Sequence, residues 1–168
     1  DLKVLGGHNH ENVMAAIAVG AQFGVSLEDA VKAIEAYVPS NNRSQMTRTE
    51  KNTLIVDAYN ANPTSMMAAL ENFRLMEVAH KVAILGDMKE LGEGSVDEHR
   101  KIVSFLEGCG FERIILVGDE FGKANSGFEW YKNTDDLKAK ISEEKISGKF
   151  VLIKGSNSMK LAPLKDIL

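Results

Sequence analysis

Cysteine is nearly absent from this chain of 168 residues. Cys109 is the single example, so no disulfide can form within the chain. It lies between Leu106 and Phe111 at the apolar end of a predicted helix, where a small buried side chain is the simplest interpretation. A chain without an internal disulfide fits a reducing compartment, and we expect a cytoplasmic location.

Long hydrophobic runs and an excess of basic residues are also missing. No apolar stretch approaches the roughly 20 residues of a membrane-spanning helix, and we expect no signal peptide at the start. The formal net charge is −4, whereas nucleic-acid-binding proteins usually carry a basic face. We therefore expect neither membrane insertion nor a nucleic-acid partner.

Phosphate-binding loops of standard form are absent as well. Gly118–Ala124 superficially resembles one, but it has one residue too few between its glycines, and Ala124 stands where Ser or Thr binds magnesium. No Gly-x-Gly-x-x-Gly follows the first strand, which disfavours a stand-alone dinucleotide-binding module. His8, His10 and Glu11 fit no standard zinc spacing, so we predict no metal site.

The chain does contain a regular alternation of strand and helix patterns from residue 46 onward. Three continuous apolar runs, Val82–Leu85, Ile114–Val117 and Val151–Ile153, are typical of strands buried on both faces. The pattern predicts an α/β fold, a Rossmann-like doubly wound and mostly parallel sheet of about six strands. The predicted strands lie near 46–50, 52–57, 81–86, 113–117, 128–131 and 149–154, and the predicted helices near 63–77, 95–108, 134–144 and 160–167.

A shorter helical segment precedes this region. Apolar residues recur at helical spacing over 9–23, and Ser26–Asp29 resembles a capping box that opens a second helix. Pro39–Asn42 breaks the pattern. We therefore divide the chain into a helical part, 1–45, and an α/β domain, 46–168. Because the chain opens directly in what reads as a strand end, we expect it to belong to a longer protein.

Polar side chains are densest where a buried strand, ending at Asp57, runs through a loop into a helix. Asn62 suits the N-cap and Pro63 the first helical position. In an open α/β sheet, ligands bind where a strand's carboxyl end meets a helix N-terminus. Asn60 and Asn62 could instead only brace the turn. The candidate binding residues in this loop are Asp57, Tyr59, Asn60, Asn62 and Ser65.

Two further loops follow buried strands and are expected at the same edge of the sheet. The first is Gly86-Asp87-Met-Lys-Glu90-Leu-Gly92-Glu93, with His99 beyond it, and the alternative is a solvated glycine-rich loop. The second is Lys154-Gly-Ser156-Asn-Ser158, where a lysine and backbone amides at a helix start suit an anion. The candidate binding residues here are Asp87, Glu90, Lys154 and Ser156.

Two further candidates lie nearer the start of the chain. Asn9 and Asn12 share one helix face, and a carboxamide can match the N6 and N7 edge of adenine, although Asn9 could simply be an N-cap. Arg43 follows the break, where a guanidinium can bind phosphate oxygens, although an isolated arginine is more often a surface residue. Asp57 could accept hydrogen bonds from ribose hydroxyls.

In order and spacing these motifs resemble the Mur ligase family. The segments that carry the resemblance are Gly6–Asn12, Asp57–Leu70, Gly86–Glu93 with His99, and Lys154–Ser158. Within the family, the chain is similar to members that add D-alanyl-D-alanine to UDP-N-acetylmuramoyl-tripeptide in peptidoglycan precursor synthesis. It departs from the family pattern at Asn42, where Gly is common, at Val56, where an acid is usual, and at Asn157, where Arg is usual.

The resemblance implies an ATP-dependent ligase that forms an amide through an acyl phosphate. ATP and Mg would be bound mainly by an upstream domain, so this part alone should be an inactive monomer with no catalytic residue of its own. It implies cofactor-binding roles for His8, Asn9, Asn12, Arg43 and Asp57, and substrate-binding roles for Tyr59, Asn60, Asn62, Ser65, Asp87, Glu90, Lys154 and Ser156. The alternatives are a stand-alone module for a nucleotide or small anion and, less favoured, a pure interaction module.

Overall fold

The computed structural model describes residues 8–37, 45–125 and 127–168. Within these ranges the chain folds into helices, strands and three short 3₁₀ turns. The helices are α1 His8–Gln22, α2 Leu27–Ala36, α3 Pro63–Leu75, α4 Ser95–Glu107, α5 Asp119–Ala124 and α6 Thr134–Glu143; the strands are β1 Gln45–Arg48, β2 Thr53–Asp57, β3 Lys81–Gly86, β4 Arg113–Val117, β5 Glu129–Tyr131 and β6 Phe150–Lys154; the 3₁₀ turns are Gly92–Gly94, Asn157–Met159 and Ala162–Asp166.

The six strands form one sheet in the order β1-β2-β6-β3-β4-β5. β1 runs antiparallel to β2, and every other neighbouring pair is parallel. In the centre of the sheet, Val151 of β6 is in register with Leu54 of β2 and with Val82 of β3. The prediction of a mostly parallel sheet of about six strands is therefore confirmed, and the parallel strands bring their carboxyl ends to one edge.

Both faces of the sheet are covered by apolar side chains. One hydrophobic cluster joins the sheet to α3, α4 and α5, and contains Leu70, Ile102 and Phe121. The other joins it to α6 and the C-terminal segment, and contains Leu137 and Leu164. Strand residues alternate between the two clusters, since successive side chains of a strand point to opposite faces. The continuous apolar runs in the sequence reflect this double burial.

Local capping explains where two of the helices begin. The Asn62 side chain accepts a hydrogen bond from the Ser65 backbone N–H, and the Ser65 hydroxyl lies 3.2 Å from the Asn62 nitrogen, which completes a capping box before Pro63. Ser26 accepts from the Asp29 N–H in the same way at the start of α2. Both caps were predicted from the sequence and are confirmed.

Ser95-Val-Asp-Glu98 has the sequence pattern of a capping box and predicts that Ser95 caps α4, and this prediction is wrong. Ser95 is already the first residue of α4, and the cap position belongs to Gly94, which has no side chain to donate or accept. The reason is that the 3₁₀ turn at Gly92–Gly94 leads directly into the helix, so Ser95 has helical backbone angles of φ −54° and ψ −51°. The 3₁₀ turn and α4 therefore follow each other without a break.

Two other elements differ from the prediction. The segment expected to be a helix near 160–167 forms a 3₁₀ turn at Ala162–Asp166, after Lys160 has adopted a left-handed backbone with φ 53°. The six-residue helix α5 was not predicted, since it is too short to display a helical period of apolar residues.

α1 and α2 pack against each other and expose much of their apolar surface. Among the described residues of α1, α2 and the turn between them, Ala30 is buried, whereas Phe23 is 82% exposed and Met14, Val19 and Leu27 are also exposed. No helix in the described ranges is long and apolar enough to cross a membrane. The division of the chain at residues 45 and 46 stays a prediction.

Candidate functional site

The strand order places a topological switch point at the carboxyl edge of the sheet. β6 lies between β2 and β3. The helices that follow β2 and β3 cover one face of the sheet, while the segment after β6 packs on the other face. Where successive connections leave to opposite faces, an open α/β sheet commonly binds ligands in a crevice at this edge. The loops after these three strands lie at the position where this crevice is expected.

The end of β6 and the loop after it contact both of the other loops. The Lys154 amine lies 2.6 Å from the Asp57 carboxylate, which joins β6 to the first loop. The Ser156 hydroxyl accepts a hydrogen bond from the Lys89 N–H at 2.9 Å, and the Ser156 N–H donates to the Asp87 carbonyl at 3.1 Å. The convergence expected from the sequence is therefore confirmed.

Two glycines allow the loops after β3 and β6 to approach closely. A Cβ at Gly155 would lie 3.0 Å from the Cα of Gly86 and 2.8 Å from Leu161 Cδ1. A Cβ at Gly86 would meet the same leucine at 2.8 Å. Distances this short are repulsive for carbon atoms, whose optimal separation is about 3.5–4.0 Å. Larger residues at these positions would push the two loops apart.

Lys154, which the sequence suggested for an anion site, is buried and paired. Its side chain is 1% exposed, and its amine lies between the Asp57 carboxylate and the Asn60 carbonyl, 3.5 Å away. Asp57 is 17% exposed, so part of its carboxylate reaches solvent. The buried pair compensates two charges that would be costly alone and fixes the loop after β2 to the neighbouring strand.

Asp87 is fully buried and stabilises the start of α5. Its carboxylate accepts hydrogen bonds from the backbone N–H groups of Phe121 at 2.9 Å and Glu120 at 3.1 Å, and the Lys89 amine lies 3.1 Å away. Gly118 makes room for this carboxylate, because a Cβ there would lie 2.3 Å from Asp87 Cγ. Its φ of +119° is also a conformation that favours glycine. The sequence analysis did not predict α5. The one local feature that could have indicated it is Gly118, directly after the apolar strand β4.

His99, which the sequence placed beyond the second loop, fixes that loop to α4. Its Nε2 accepts a hydrogen bond from the Met88 N–H at 3.0 Å, so the proton is on Nδ1, which donates to the Ser95 carbonyl at 2.7 Å. The ring is fully buried and meets the Phe121 ring edge-on at a centroid distance of 4.6 Å. Its Nε2 is 3.8 Å from Asp87 Oδ1. The imidazole therefore has a positioning role beneath the loop.

The polar residues of the first loop are partly used to hold its own turn. The Asn60 side chain accepts from the Ala61 N–H at 2.9 Å, and Asn62 and Ser65 cap α3 as described. These bonds agree with the bracing alternative for both asparagines. Tyr59, Asn60 and Asn62 are nevertheless exposed, so their side chains remain accessible to a ligand.

The remaining predicted site residues fall into two groups. Glu90 is exposed on the second loop and has a left-handed backbone with φ 66°. Asn12 lies on α1 and is exposed. Arg43 and the side chains of His8 and Asn9 lie outside the described residues.

The charged groups around α5 and β5 are paired with one another. The pKa of the Glu120 carboxyl is lowered by hydrogen bonds from Lys123 and Ser95. Arg113 forms two hydrogen bonds of 2.7 Å with Glu129, which lower the pKa of that carboxyl. Burial and a 2.6 Å hydrogen bond to Glu129 raise the pKa of Tyr131 to about 12. These pairs hold the short edge strand to its neighbour.

The described side chains do not form a magnesium site. Nowhere in residues 8–37, 45–125 and 127–168 are three or more His, Cys, Asp or Glu side chains grouped to hold a metal ion. Magnesium prefers several oxygen ligands, usually carboxylates, waters and substrate phosphates. The described residues therefore do not by themselves fit a bound magnesium ion.

Sequence comparison places this chain in a known class of proteins. The family described as Mur ligase, glutamate ligase domain matches residues 42–157, well over half of the chain. The chain therefore belongs to the Mur ligase family.

Individual relatives show which members of the family the chain is similar to. The chain is 34% identical over 179 residues to a UDP-N-acetylmuramoyl-tripeptide--D-alanyl-D-alanine ligase of Bacillus subtilis, a match that covers 99% of this chain and 39% of the relative. A ligase of the same name from Haemophilus influenzae is 31% identical over 169 residues, covering 95% and 37%. The chain thus spans about two fifths of the length of these relatives.

Solved structures agree with the observed fold. The UDP-N-acetylmuramoylalanyl-D-glutamyl-2,6-diaminopimelate--D-alanyl-D-alanyl ligase of Acinetobacter baumannii superposes with a TM-score of 0.84 at 31% identity, covering 99% of this chain and 37% of that one. MurF ligase from Thermotoga maritima in complex with ADP has a TM-score of 0.81, covering 98% and 38%. Its identity is 19%, so this second likeness concerns the fold alone.

Proposed function

We propose that this chain is the C-terminal part of an ATP-dependent ligase that joins D-alanyl-D-alanine to UDP-N-acetylmuramoyl-tripeptide. The observation that carries the proposal is the meeting of three loops with Mur ligase motifs at the carboxyl edge, linked through Asp57–Lys154 and Lys89–Ser156. The relatives that match almost the whole chain have this activity in their names. We further propose that the protein is a cytoplasmic monomer that takes part in peptidoglycan precursor synthesis.

The chemistry needs an activated carboxyl group and a well-placed amine. ATP supplies the phosphoryl group that converts the tripeptide carboxylate into an acyl phosphate. The dipeptide amine attacks the acyl carbon, the C–O bond to phosphate breaks, and the nitrogen loses a proton as the amide forms. This chain's part is to hold the dipeptide in line with that carbon, because correct placement removes much of the entropic barrier.

On the nucleotide side, we assign the base to His8, Asn9 and Asn12, the phosphates to Arg43, and the ribose to Asp57. The partial exposure of Asp57 at the end of β2 supports its role, since a ligand hydroxyl can reach the carboxylate. Most phosphate contacts and the magnesium ion are assigned to residues beyond this chain, because no phosphate-binding loop of standard form lies within it.

On the dipeptide side, we divide the candidates by exposure. The exposed residues, which are Tyr59, Asn60, Asn62 and Glu90, are proposed to contact the dipeptide together with the partly buried Ser65. The buried residues, which are Asp87, Lys154 and Ser156, are proposed to act by holding the loops in register. This division follows from their contacts, since Asp87 and Lys154 are bonded to protein groups rather than directed to solvent.

The test is substrate-dependent ADP release by the complete protein that carries this chain. We expect ADP formation to require both UDP-N-acetylmuramoyl-tripeptide and D-alanyl-D-alanine, and mass spectrometry to detect the pentapeptide product. The same rate of ADP release with and without the dipeptide would contradict the proposal.

The isolated chain separates the ligase from a stand-alone nucleotide-binding module. Under the ligase proposal it should bind ATP or ADP weakly and form no amide, because the phosphate contacts are assigned elsewhere. Tight nucleotide binding in a calorimetric titration of the isolated chain would favour the stand-alone module.

A further inference from the structure

Two lysines at the carboxyl edge differ sharply in exposure. The Lys154 side chain is 1% exposed and paired with Asp57, so its amine cannot meet a ligand without breaking a buried ion pair. The Lys89 side chain is 45% exposed. It lies on the second loop at a position where the sequence analysis named no candidate. Of these two cations, Lys89 is the one that a ligand in the crevice can reach.

The backbone beneath Lys89 is held on three sides. The Asp87 carboxylate accepts from the Glu120 and Phe121 N–H groups, so one side of the loop is fixed to α5. The Met88 N–H donates to His99, and the Lys89 N–H donates to Ser156. The Cα of Lys89 is therefore held by its neighbours, while its side chain is 45% exposed. This arrangement combines a fixed backbone with a partly exposed amine.

The present partner of the Lys89 amine keeps other hydrogen bonds when the amine leaves it. The amine lies 3.1 Å from Asp87 Oδ2. If the lysine turns away, the Asp87 carboxylate keeps both backbone hydrogen bonds from α5, so it does not become an unsatisfied buried group. The amine can therefore exchange this contact for a ligand anion.

The order of the strands indicates which ligand anion the Lys89 amine contacts. Asp57, assigned to the ribose, ends β2, whereas Lys89 follows β3, and β6 lies between them. Two strand spacings separate the positions by about 10 Å. The lysine thus lies away from Asp57 and directly precedes Glu90, which is assigned to the dipeptide.

We propose that the Lys89 amine binds the terminal carboxylate of the incoming D-alanyl-D-alanine. This assignment rests on the proposed function and adds to it the cation that recognises the acceptor's charge. A charge-assisted hydrogen bond between an ammonium and a carboxylate is about twice as strong as a neutral one. Lys89 therefore selects an acceptor with a free carboxylate over a neutral analogue.

The experiment compares two acceptors with three variants of the complete ligase. The acceptors are D-alanyl-D-alanine and D-alanyl-D-alaninamide, which lacks the negative charge. The variants are Lys89→Gln, Lys89→Arg and the control Lys123→Gln. Lys123 also carries an exposed amine near Asp87, but it is paired with Glu120 at 2.6 Å on α5.

We expect Lys89→Gln to raise KM for the acid on the order of tenfold while leaving KM for the amide unchanged. Lys89→Arg should restore most of the preference for the acid, and Lys123→Gln should resemble the wild type with both acceptors. Melting temperatures of all variants are measured alongside, and an unchanged value for Lys89→Gln shows that the loop is intact.

Several outcomes overturn the assignment. An equal rise in KM for both acceptors shows that Lys89 only supports the loop, and a change confined to KM for ATP shows that it serves the nucleotide. If the wild type is active and Lys89→Gln keeps the same preference for the acid, Lys89 does not bind the carboxylate, and the proposed function stands. A wild-type enzyme that does not use the dipeptide at all overturns both.

Discussion

The Asp57 carboxylate and the Lys154 amine form an ion pair of 2.6 Å across neighbouring parallel strands, at the point where the two loops begin. The two partners differ in burial, since Lys154 is 1% exposed and Asp57 is 17% exposed. Removing one partner of a buried pair is costly because the other charge stays behind without compensation. The two possible deletions should therefore have unequal effects.

We predict that Asp57→Asn destabilises the chain more than Lys154→Met. The first change leaves a buried ammonium unpaired, with an expected loss of about 3 kcal/mol or more. The second leaves a carboxylate that solvent can partly reach, and the methionine keeps the apolar stem, so a loss of about 1–2 kcal/mol is expected. Urea unfolding of both variants measures the difference. Equal losses would show that the lysine is not the more strongly desolvated partner.

Gly118 should be intolerant of a side chain because of Asp87. Gly118→Ala adds a Cβ 2.3 Å from Asp87 Cγ at a φ of +119°. Gly127→Ala is the matched control, since its φ is +121° but nothing lies within 4 Å of the added Cβ. Both changes should cost roughly 1–3 kcal/mol for the backbone conformation, and Gly118→Ala should cost at least about 1 kcal/mol more because the buried carboxylate must move.

The measurement is the free energy of unfolding of both alanine variants, together with hydrogen exchange at the Glu120 and Phe121 amides. Faster exchange of these amides in Gly118→Ala alone would show that Asp87 has lost its hold on α5. Equal stability and equal exchange in the two variants would contradict this role of Gly118.

His99 offers two substitutions that separate its two hydrogen bonds. Gln places an amide oxygen near the position of Nε2 and can still accept from Met88, whereas Asn places its amide near Nδ1 and can still donate to Ser95. Each variant should lose about 1–3 kcal/mol for the bond that it cannot make. We predict fast exchange of the Met88 amide in His99→Asn and slow exchange in His99→Gln. The reverse order would show that the ring does not hold the second loop through Met88.

The Tyr131 hydroxyl should make stability depend on pH in the alkaline range. Its pKa is raised from 10.0 to about 12 in the folded chain, mainly by burial and then by its bond to Glu129. The stability that this group contributes is complete below pH 10 and is lost as the pH rises through about 12, since the unfolded chain releases the proton first. Tyr131→Phe should flatten this decrease in urea midpoint relative to the wild type. Parallel pH profiles would exclude a contribution from Tyr131.

The sequence by itself predicted those features that depend on neighbouring residues. The run from Leu54 to Asp57 predicts a buried strand, and Asn62 with Ser65 predicts the start of α3, because capping bonds span three residues. The order of strands and helices then restricts the topology to a doubly wound sheet, whose parallel strands end at one edge. This topology alone therefore predicts that the three loops lie close together at that edge.

The tertiary structure decided which of the candidate side chains face the crevice. Lys154 and Asp57 are 97 residues apart in sequence, and their pairing depends on β2 lying beside β6. Asp87 holds α5 from 33 residues away, which is why a six-residue helix without its own periodic pattern is stable there. The residue type alone does not show whether a lysine or an aspartate is buried or exposed. Burial depends on packing between segments that are distant in the sequence. Sequence reasoning therefore placed Lys154 in the site, whereas the three-dimensional fold buries Lys154 and exposes Lys89.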